Sequence, residues 1–274
     1  MMNIVPLSPS LGAKIRGVDL AEALSPDAAE IVLRAFGAFG LLLFRGQEIG
    51  EEQQVRFARH FGRLSRQGAI QMAAPGATYV SNTRPDGTFG VGELLFHSDQ
   101  CYYEHPMKAI MLYGIEVAAR GGETLFANTS RAYRRMPEAL QRRLQGLTVR
   151  HHFDYGALHY GDAKRKQIER LTVSAVHPVV ERHPETGLPV LMVNAQTVDR
   201  IVDLPKDESA ALVAEIVRHI SAPDNVYRHS WRPGDLVVWD NRMLQHARSD
   251  FDNSERRTLR RCAIAHDLEP APGP

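Results

Sequence analysis

Cysteine is nearly absent: Cys101 and Cys262 are the only two in 274 residues. That is too few for a disulfide framework or a thiolate metal site, so a reducing, cytoplasmic setting is expected. No apolar run is long enough to cross a bilayer, and no membrane partner is expected. The opening Met1-Met2-Asn3-Ile4-Val5-Pro6 lacks the charged segment followed by an apolar one that marks export. Lys and Arg number 33 against 32 Asp and Glu, and the cations form no dense block. A broad nucleic-acid footprint is therefore not expected, and small anions are the better match. There is no internal repeat or low-complexity tract. With 43% hydrophobic residues the chain can bury a sizeable core, and one domain over 1–274 is expected.

What is present comes in short segments. Ser25-Pro26-Asp27 supplies a helix cap, a proline suited to the first helical position and an early acid. Ile31, Val32, Ala35 and Phe36 then recur at helical spacing, which predicts a helix over 26–38. The run Leu41-Leu42-Leu43-Phe44 between glycines predicts a buried strand, and amphipathic Glu51 to His60 a second helix. From Thr78 onward, turns such as Pro85-Asp86-Gly87 and Gly121-Gly122 separate short apolar segments, as in antiparallel sheet. His183-Pro184-Glu185-Thr186-Gly187 reads as a hairpin loop, Leu236-Val237-Val238-Trp239 as a strand, and 137–145 and 206–220 as helices. The polar, aromatic and basic stretch from His151 has no clean period, so a lid-like insertion over about 151–175 is expected. Many short strands with peripheral helices predict a mainly β fold with a double-stranded β-helix (jelly roll) core around a pocket.

Two segments carry the chemistry. In Phe96-His97-Ser98-Asp99 the histidine and the aspartate are two apart, so in extended chain they project from one face and can chelate one ion. His246 follows Trp239-Asp240-Asn241-Arg242, where a returning strand could bring it to the same pocket. Two imidazoles and one carboxylate with open positions form the facial triad of non-haem Fe(II) oxygenases, whereas zinc more often recruits three histidines or cysteines. In Arg256-Arg257-Thr258-Leu259-Arg260-Arg261 the alternation puts Arg257 and Arg261 on one face and Arg256 and Arg260 on the other, where exposure is expected. An inward guanidinium needs an anion, and a ligand carboxylate supplies one.

These residues, in this order, resemble the TauD/TfdA family, the Fe(II)/2-oxoglutarate-dependent oxygenases that include taurine dioxygenase and 2,4-dichlorophenoxyacetate dioxygenase. The likeness opens at Leu11-Gly12-Ala13-Lys14-Ile15-Arg16-Gly17-Val18-Asp19-Leu20 and continues through Phe44-Arg45-Gly46-Gln47, Phe61-Gly62 and Phe96-His97-Ser98-Asp99. It goes on through Gly121-Gly122-Glu123-Thr124 and Trp239-Asp240-Asn241-Arg242, and closes at Arg261. It implies His97, Asp99 and His246 as iron ligands, and Thr124 with Arg257 as the pair that holds the distal carboxylate of 2-oxoglutarate. Arg261 is implied to bind an anionic substrate group or to support the co-substrate. The implied reaction consumes O2 and 2-oxoglutarate, releases succinate and CO2 and hydroxylates a C–H bond, with C–S or C–O cleavage where the carbon bears a heteroatom. A homodimer or homotetramer is likewise implied.

The substrate is less legible. Glu93 stands where the taurine enzyme has a neutral amide that meets substrate, which argues against taurine; Glu93 meets a cationic or hydroxylic substrate group or is a solvated loop carboxylate. Asn82, Gln67 and Gln71 are candidates for the pocket mouth. Tyr102, Tyr103, Phe153, Tyr155, His159 and Tyr160 would either enclose an apolar substrate or serve as packing. A small carboxylate or sulfonate held by Arg261 is the expected substrate. A cupin-like metal hydrolase or isomerase, and a non-catalytic jelly roll that binds a small anion, are the alternatives.

Overall fold

Ser25 Oγ accepts a hydrogen bond from the Ala28 N–H at 3.2 Å, and Pro26 takes the first helical position. Helix α1 accordingly starts where expected and runs Pro26–Phe39, stopped by Gly40 at φ 69°. Its buried face is Ala29, Val32, Ala35 and Phe36. The structure, a computed structural model, describes residues 2–65, 76–88, 90–154 and 172–268.

The apolar run after α1 is strand β3 (Leu41–Phe44), buried at every position. It is apolar throughout because both of its faces are covered. Leu42 and Phe44 pack against α1 and α2 (Glu51–Ala58), while Leu41 and Leu43 enter a second core on the other side. The same division holds along β14 (Leu236–Asp240): Leu236 and Val238 face the helices, Val237 and Trp239 the second core. These strands belong to a seven-stranded sheet, ordered β1 (Asn3–Pro6), β2 (Ala13–Arg16), β3, β14, β6 (Ala109–Glu116), β16 (Thr258–Ile264), β4 (Thr78–Ser81). Opposite lies a four-stranded sheet, β13 (Val226–His229), β7 (Thr124–Asn128), β15 (Leu244–Arg248), β5 (Leu94–His97). The second core sits between the sheets, where Phe126 meets Trp239 edge-on at 5.2 Å. Two antiparallel-dominated sheets face to face give the expected jelly roll.

A third core lies outside the jelly roll. The strands β12 (Val198–Ile201), β8 (Thr148–Asp154) and β9 (Thr172–Pro178) form a small sheet, and the hairpin β10 (Val180–Arg182) and β11 (Pro189–Leu191) follows the loop chemistry expected of it. Helices α3 (Thr129–Arg135), α4 (Glu138–Leu144) and α5 (Lys206–Ile220) pack there, α5 through Leu212, Ile216 and Ile220. The lid expected over 151–175 begins and ends as strand, since β8 and β9 pair from Thr148↔Pro178 to Asp154↔Thr172. Residues 155–171 lie outside the described ones.

One expectation is corrected. Arg256 is exposed, as foreseen, but Arg260 is buried. The outer face of β16 meets α2 rather than water, so Arg260 Nε donates to Gln54 Oε1 at 2.6 Å and its Nη2 to the Ile49 carbonyl at 2.8 Å. Its guanidinium also lies 4.8 Å from the Tyr113 ring centroid. Both cysteines are sealed as well, and burial pushes the Cys101 and Cys262 thiols up to about 12. Replacing Gln54 by Leu should strand the Arg260 charge and lower the unfolding free energy in urea by about 2–3 kcal/mol, whereas Arg256→Ala should change it by less than about 0.5 kcal/mol. Similar small losses for both would contradict this account of Arg260.

Candidate active site

Strand β15 lies between β7 and β5 in the smaller sheet, and its pairing with β5 sets His246 directly opposite His97. The two rings are 4.2 Å apart between centroids. Asp99 follows the end of β5 and turns back, so that its Oδ1 comes 3.4 Å from His97 Nε2 and 3.7 Å from His246 Nε2. One ligand atom from each of the three residues lies within 4.8 Å of the others. His97 Nδ1 sits 2.7 Å from the Leu95 carbonyl. Nδ1 donates to that carbonyl, which fixes the ring with Nε2 toward Asp99. His246 Nδ1 is buried without a hydrogen-bond partner among the described residues, and the ring is held by packing on His97 and Trp239.

Electrostatics keep His246 and Asp99 in ligand form. Burial, and then the neighbouring His97, push His246 down to about 3, so its imidazole is neutral near neutrality. Burial pushes the Asp99 carboxyl upward, but the Arg261 guanidinium, aided by His97 and His246, holds it well below the usual carboxylate range. Arg261 Nη2 donates to Asp99 Oδ2 at 2.6 Å, which leaves Oδ1 toward the imidazoles. Two imidazoles and an ionised carboxylate oxygen on converging vectors fit a divalent first-row metal of the facial-triad type.

A second group of residues lies beside the first. Thr124 begins β7 and is the cross-strand partner of Arg248 on β15. The Thr124 hydroxyl oxygen accepts from Trp231 Nε1 at 2.9 Å, which leaves its own proton to donate. Arg257 is 3% exposed and donates Nε and Nη2 to the Gly122 carbonyl at 3.3 and 3.2 Å, with no carboxylate partner among the described residues. The Arg257 and Arg248 guanidinium carbons each lie 5.7 Å from the Phe251 ring centroid. Burial, and then Arg248, push Arg257 down to about 9. A guanidinium keeps its proton even so, and the push expresses the cost of a buried cation that an anion relieves. The double glycine has a steric reason: a side chain on Gly121 would collide with the Asp250 carbonyl, and one on Gly122 would come 3.0 Å from Arg257 Nε.

The four substrate candidates separate. Arg261 is at the cluster. Asn82 instead fastens the chain at Arg257: its amide donates to the Glu255 carbonyl at 2.7 Å and its Oδ1 accepts from the Arg257 N–H at 2.9 Å. Tyr102 is buried and stacks on Phe153 at 4.5 Å between centroids. Glu93 is exposed on the segment before β5. Gln67, Gln71, Tyr155, His159 and Tyr160 lie outside the described residues. Two residues without an assigned role in the sequence reading matter here. Arg248 shares strand parity with His246, a signal that could have found it, and donates Nε to the Gly92 carbonyl at 3.0 Å. Asn241 touches the backbone of Asp99, which no spacing reveals.

Comparisons with known proteins give the family. The family model described as "Taurine catabolism dioxygenase TauD, TfdA family" matches residues 3–263. The chain belongs to the TauD/TfdA family. It is 32% identical to the alpha-ketoglutarate-dependent 2,4-dichlorophenoxyacetate dioxygenase of Cupriavidus pinatubonensis, over 97% of this chain and 99% of that one. It is 30% identical to an alkylsulfatase of Acinetobacter baylyi, over 97% and 86% respectively. Among solved structures, AAD-2 in complex with Mn(II) and N-oxalylglycine superposes with a TM-score of 0.82 at 28% identity, covering 98% of this chain and 99% of that one. As a TauD/TfdA member, the protein is a 2-oxoglutarate-dependent dioxygenase, and the hydrolase and non-catalytic alternatives fall away.

His246 and His151 are both lowered from 6.5 to about 3, His151 by burial and then by His177. The unfolded chain therefore takes up protons below pH 6.5 that the fold refuses, and stability falls as pH drops from 6.5 toward 3. Between pH 6.5 and 5 each histidine should account for about 1.5 kcal/mol of lost unfolding free energy in the metal-free protein. His246→Leu should shrink the loss by that amount in urea titrations at the two pH values; an unchanged loss would mean that His246 is not held neutral.

Proposed function

We propose that His97, Asp99 and His246 hold Fe(II), that Thr124 and Arg257 hold the distal carboxylate of 2-oxoglutarate, and that Arg261 meets an anionic group of the substrate. The observation that carries this reading is the juxtaposition of a converged two-histidine, one-carboxylate cluster with a buried arginine that lacks an anionic partner. The protein oxidises a small anionic organic substrate, a carboxylate or a sulfur oxoanion. Bound Fe(II), with O2 and 2-oxoglutarate, supplies an oxidant strong enough to hydroxylate a C–H bond, and the balance closes as substrate, O2 and 2-oxoglutarate giving hydroxylated product, succinate and CO2.

The chain's own residues orient and enclose. Asp99 turns Oδ1 to the imidazoles because Arg261 occupies Oδ2, so Arg261 both aims a ligand and offers its remaining N–H groups to an anion. Arg257 and Thr124 offer a guanidinium and a hydroxyl to a carboxylate, charge-assisted contacts that fix its position. Leu95, half exposed and on the same face of β5 as His97, presents an apolar contact to the substrate body. The alkylsulfatase and 2,4-dichlorophenoxyacetate dioxygenase relatives favour substrates whose oxidised carbon carries oxygen, so that hydroxylation ends in C–O cleavage. One catalytic domain, a homodimer or homotetramer, and a cytoplasmic setting complete the proposal. The family match over 3–263 supports the first, and the lack of a membrane-crossing helix among the described residues is compatible with the last.

Anaerobic addition of Fe(II) and 2-oxoglutarate to the metal-free protein should produce a weak visible charge-transfer band. In air, a panel of aryloxyacetates and alkyl sulfates should include members that drive succinate release. Asp99→Ala should abolish both signals, and Arg257→Ala should raise the 2-oxoglutarate needed for half-maximal turnover by about 10- to 100-fold. Undiminished turnover in Asp99→Ala would defeat the metal assignment, and an unchanged 2-oxoglutarate requirement would remove Arg257 from its role.

A further inference from the structure

Asp99 lies beyond the end of β5, so no strand ladder holds it. The next residue, Gln100, has φ 62°, the left-handed region that side-chain-bearing residues avoid. Such a turn persists only where its surroundings hold it. The Tyr103 N–H donates to the Gln100 carbonyl at 3.0 Å, and on the Asp99 side the holding group is the Asn241 carboxamide, 1% exposed. Its Oδ1 accepts from the Asp99 N–H at 2.8 Å, and its Nδ2 donates to the Asp99 carbonyl at 3.0 Å and to the Met107 carbonyl at 2.9 Å. Both backbone polar groups of one residue are thus grasped by a single side chain.

Asn241 is itself held from behind. Asp240 Oδ1 accepts from the Arg242 and Met243 N–H groups at 2.9 and 3.0 Å, which shapes the turn between β14 and β15. Asp240 Oδ2 lies 2.9 Å from Nε2 of buried His183, in the β10–β11 hairpin loop, and the other ring nitrogen of His183 accepts from the Glu185 and Thr186 N–H groups. This turn leads straight into the strand that carries His246. One turn therefore places two of the three proposed ligands, His246 through the backbone and Asp99 through the Asn241 side chain.

We infer that Asn241 is a positioning residue that clasps the backbone of Asp99, holds Gln100 in its left-handed turn and so fixes the carboxylate against His97 and His246. The inference rests on the reading of Asp99 as a metal ligand. Asn241→Asp keeps the size and the acceptor but removes both donors and sets an oxygen against the Asp99 and Met107 carbonyls. The test is titration of the metal-free proteins with Mn(II), free Mn(II) being followed by its electron paramagnetic resonance signal, with each protein's thermal midpoint as a check on folding. Removing an outer support of this kind weakens metal affinity by about 10- to 100-fold, and that loss is expected for Asn241→Asp. Adding Gln100→Gly, which makes the left-handed turn free of strain, should recover at least about threefold of it, a repair that a general loss of stability would not receive.

Should Asn241→Asp fail to fold, Asn241→Ser carries the same pair of measurements. An affinity within about twofold of the parent, or a loss that Gln100→Gly leaves unrepaired, overturns the inference while leaving the metal reading intact. A parent protein that takes up no Mn(II) overturns both.

Discussion

The pairing of β5 with β15 is the constraint on which the site depends. Antiparallel register sets His97 across from His246, and side chains alternate, so a shift of one residue would turn one imidazole to the opposite face of the sheet. That register is held from several sides. β15 is also paired with β7 along its whole length, and the inter-sheet core of Phe126, Trp239 and Leu244 closes over it. The same β7–β15 pairing places Thr124 opposite Arg248, so the ladder that aligns the imidazoles also positions the hydroxyl proposed to meet 2-oxoglutarate.

Charge inside the site is deliberately unbalanced. Asp99 is shared between Arg261 and the two imidazoles, whereas Arg257 meets the Gly122 carbonyl and no carboxylate among the described residues. Carbonyl dipoles soften the burial of a guanidinium but do not neutralise it. An anionic ligand at Arg257 would relieve that cost.

Much of this was legible in residue order, and the parts that were not have a common cause. The spacing of His97 and Asp99, the cap at Ser25 and the doubly covered strand at Leu41–Phe44 are local patterns, and local pattern was enough; His246, far along the chain, was reached through the resemblance of its motif. Arg260 was misread because alternation tells which residues share a face but not what covers the face; α2 covers it, with Gln54 some two hundred positions away. Asn82 looked like a pocket residue and instead serves the backbone at Arg257, a contact made across 175 positions. Asn241 stood inside a recognised segment, yet its partner is a main-chain group, which has no letter in the sequence.

The two sealed cysteines acquire a different meaning beside a centre that handles dioxygen. Cys101 stands two residues from Asp99, yet burial pushes its thiol up to about 12, so the thiolate that would attack a peroxide is scarcely formed, and Cys262 is protected in the same way. Stray oxidant escaping an uncoupled turnover would meet no ready thiolate at either cysteine, and what shields them is exclusion of solvent.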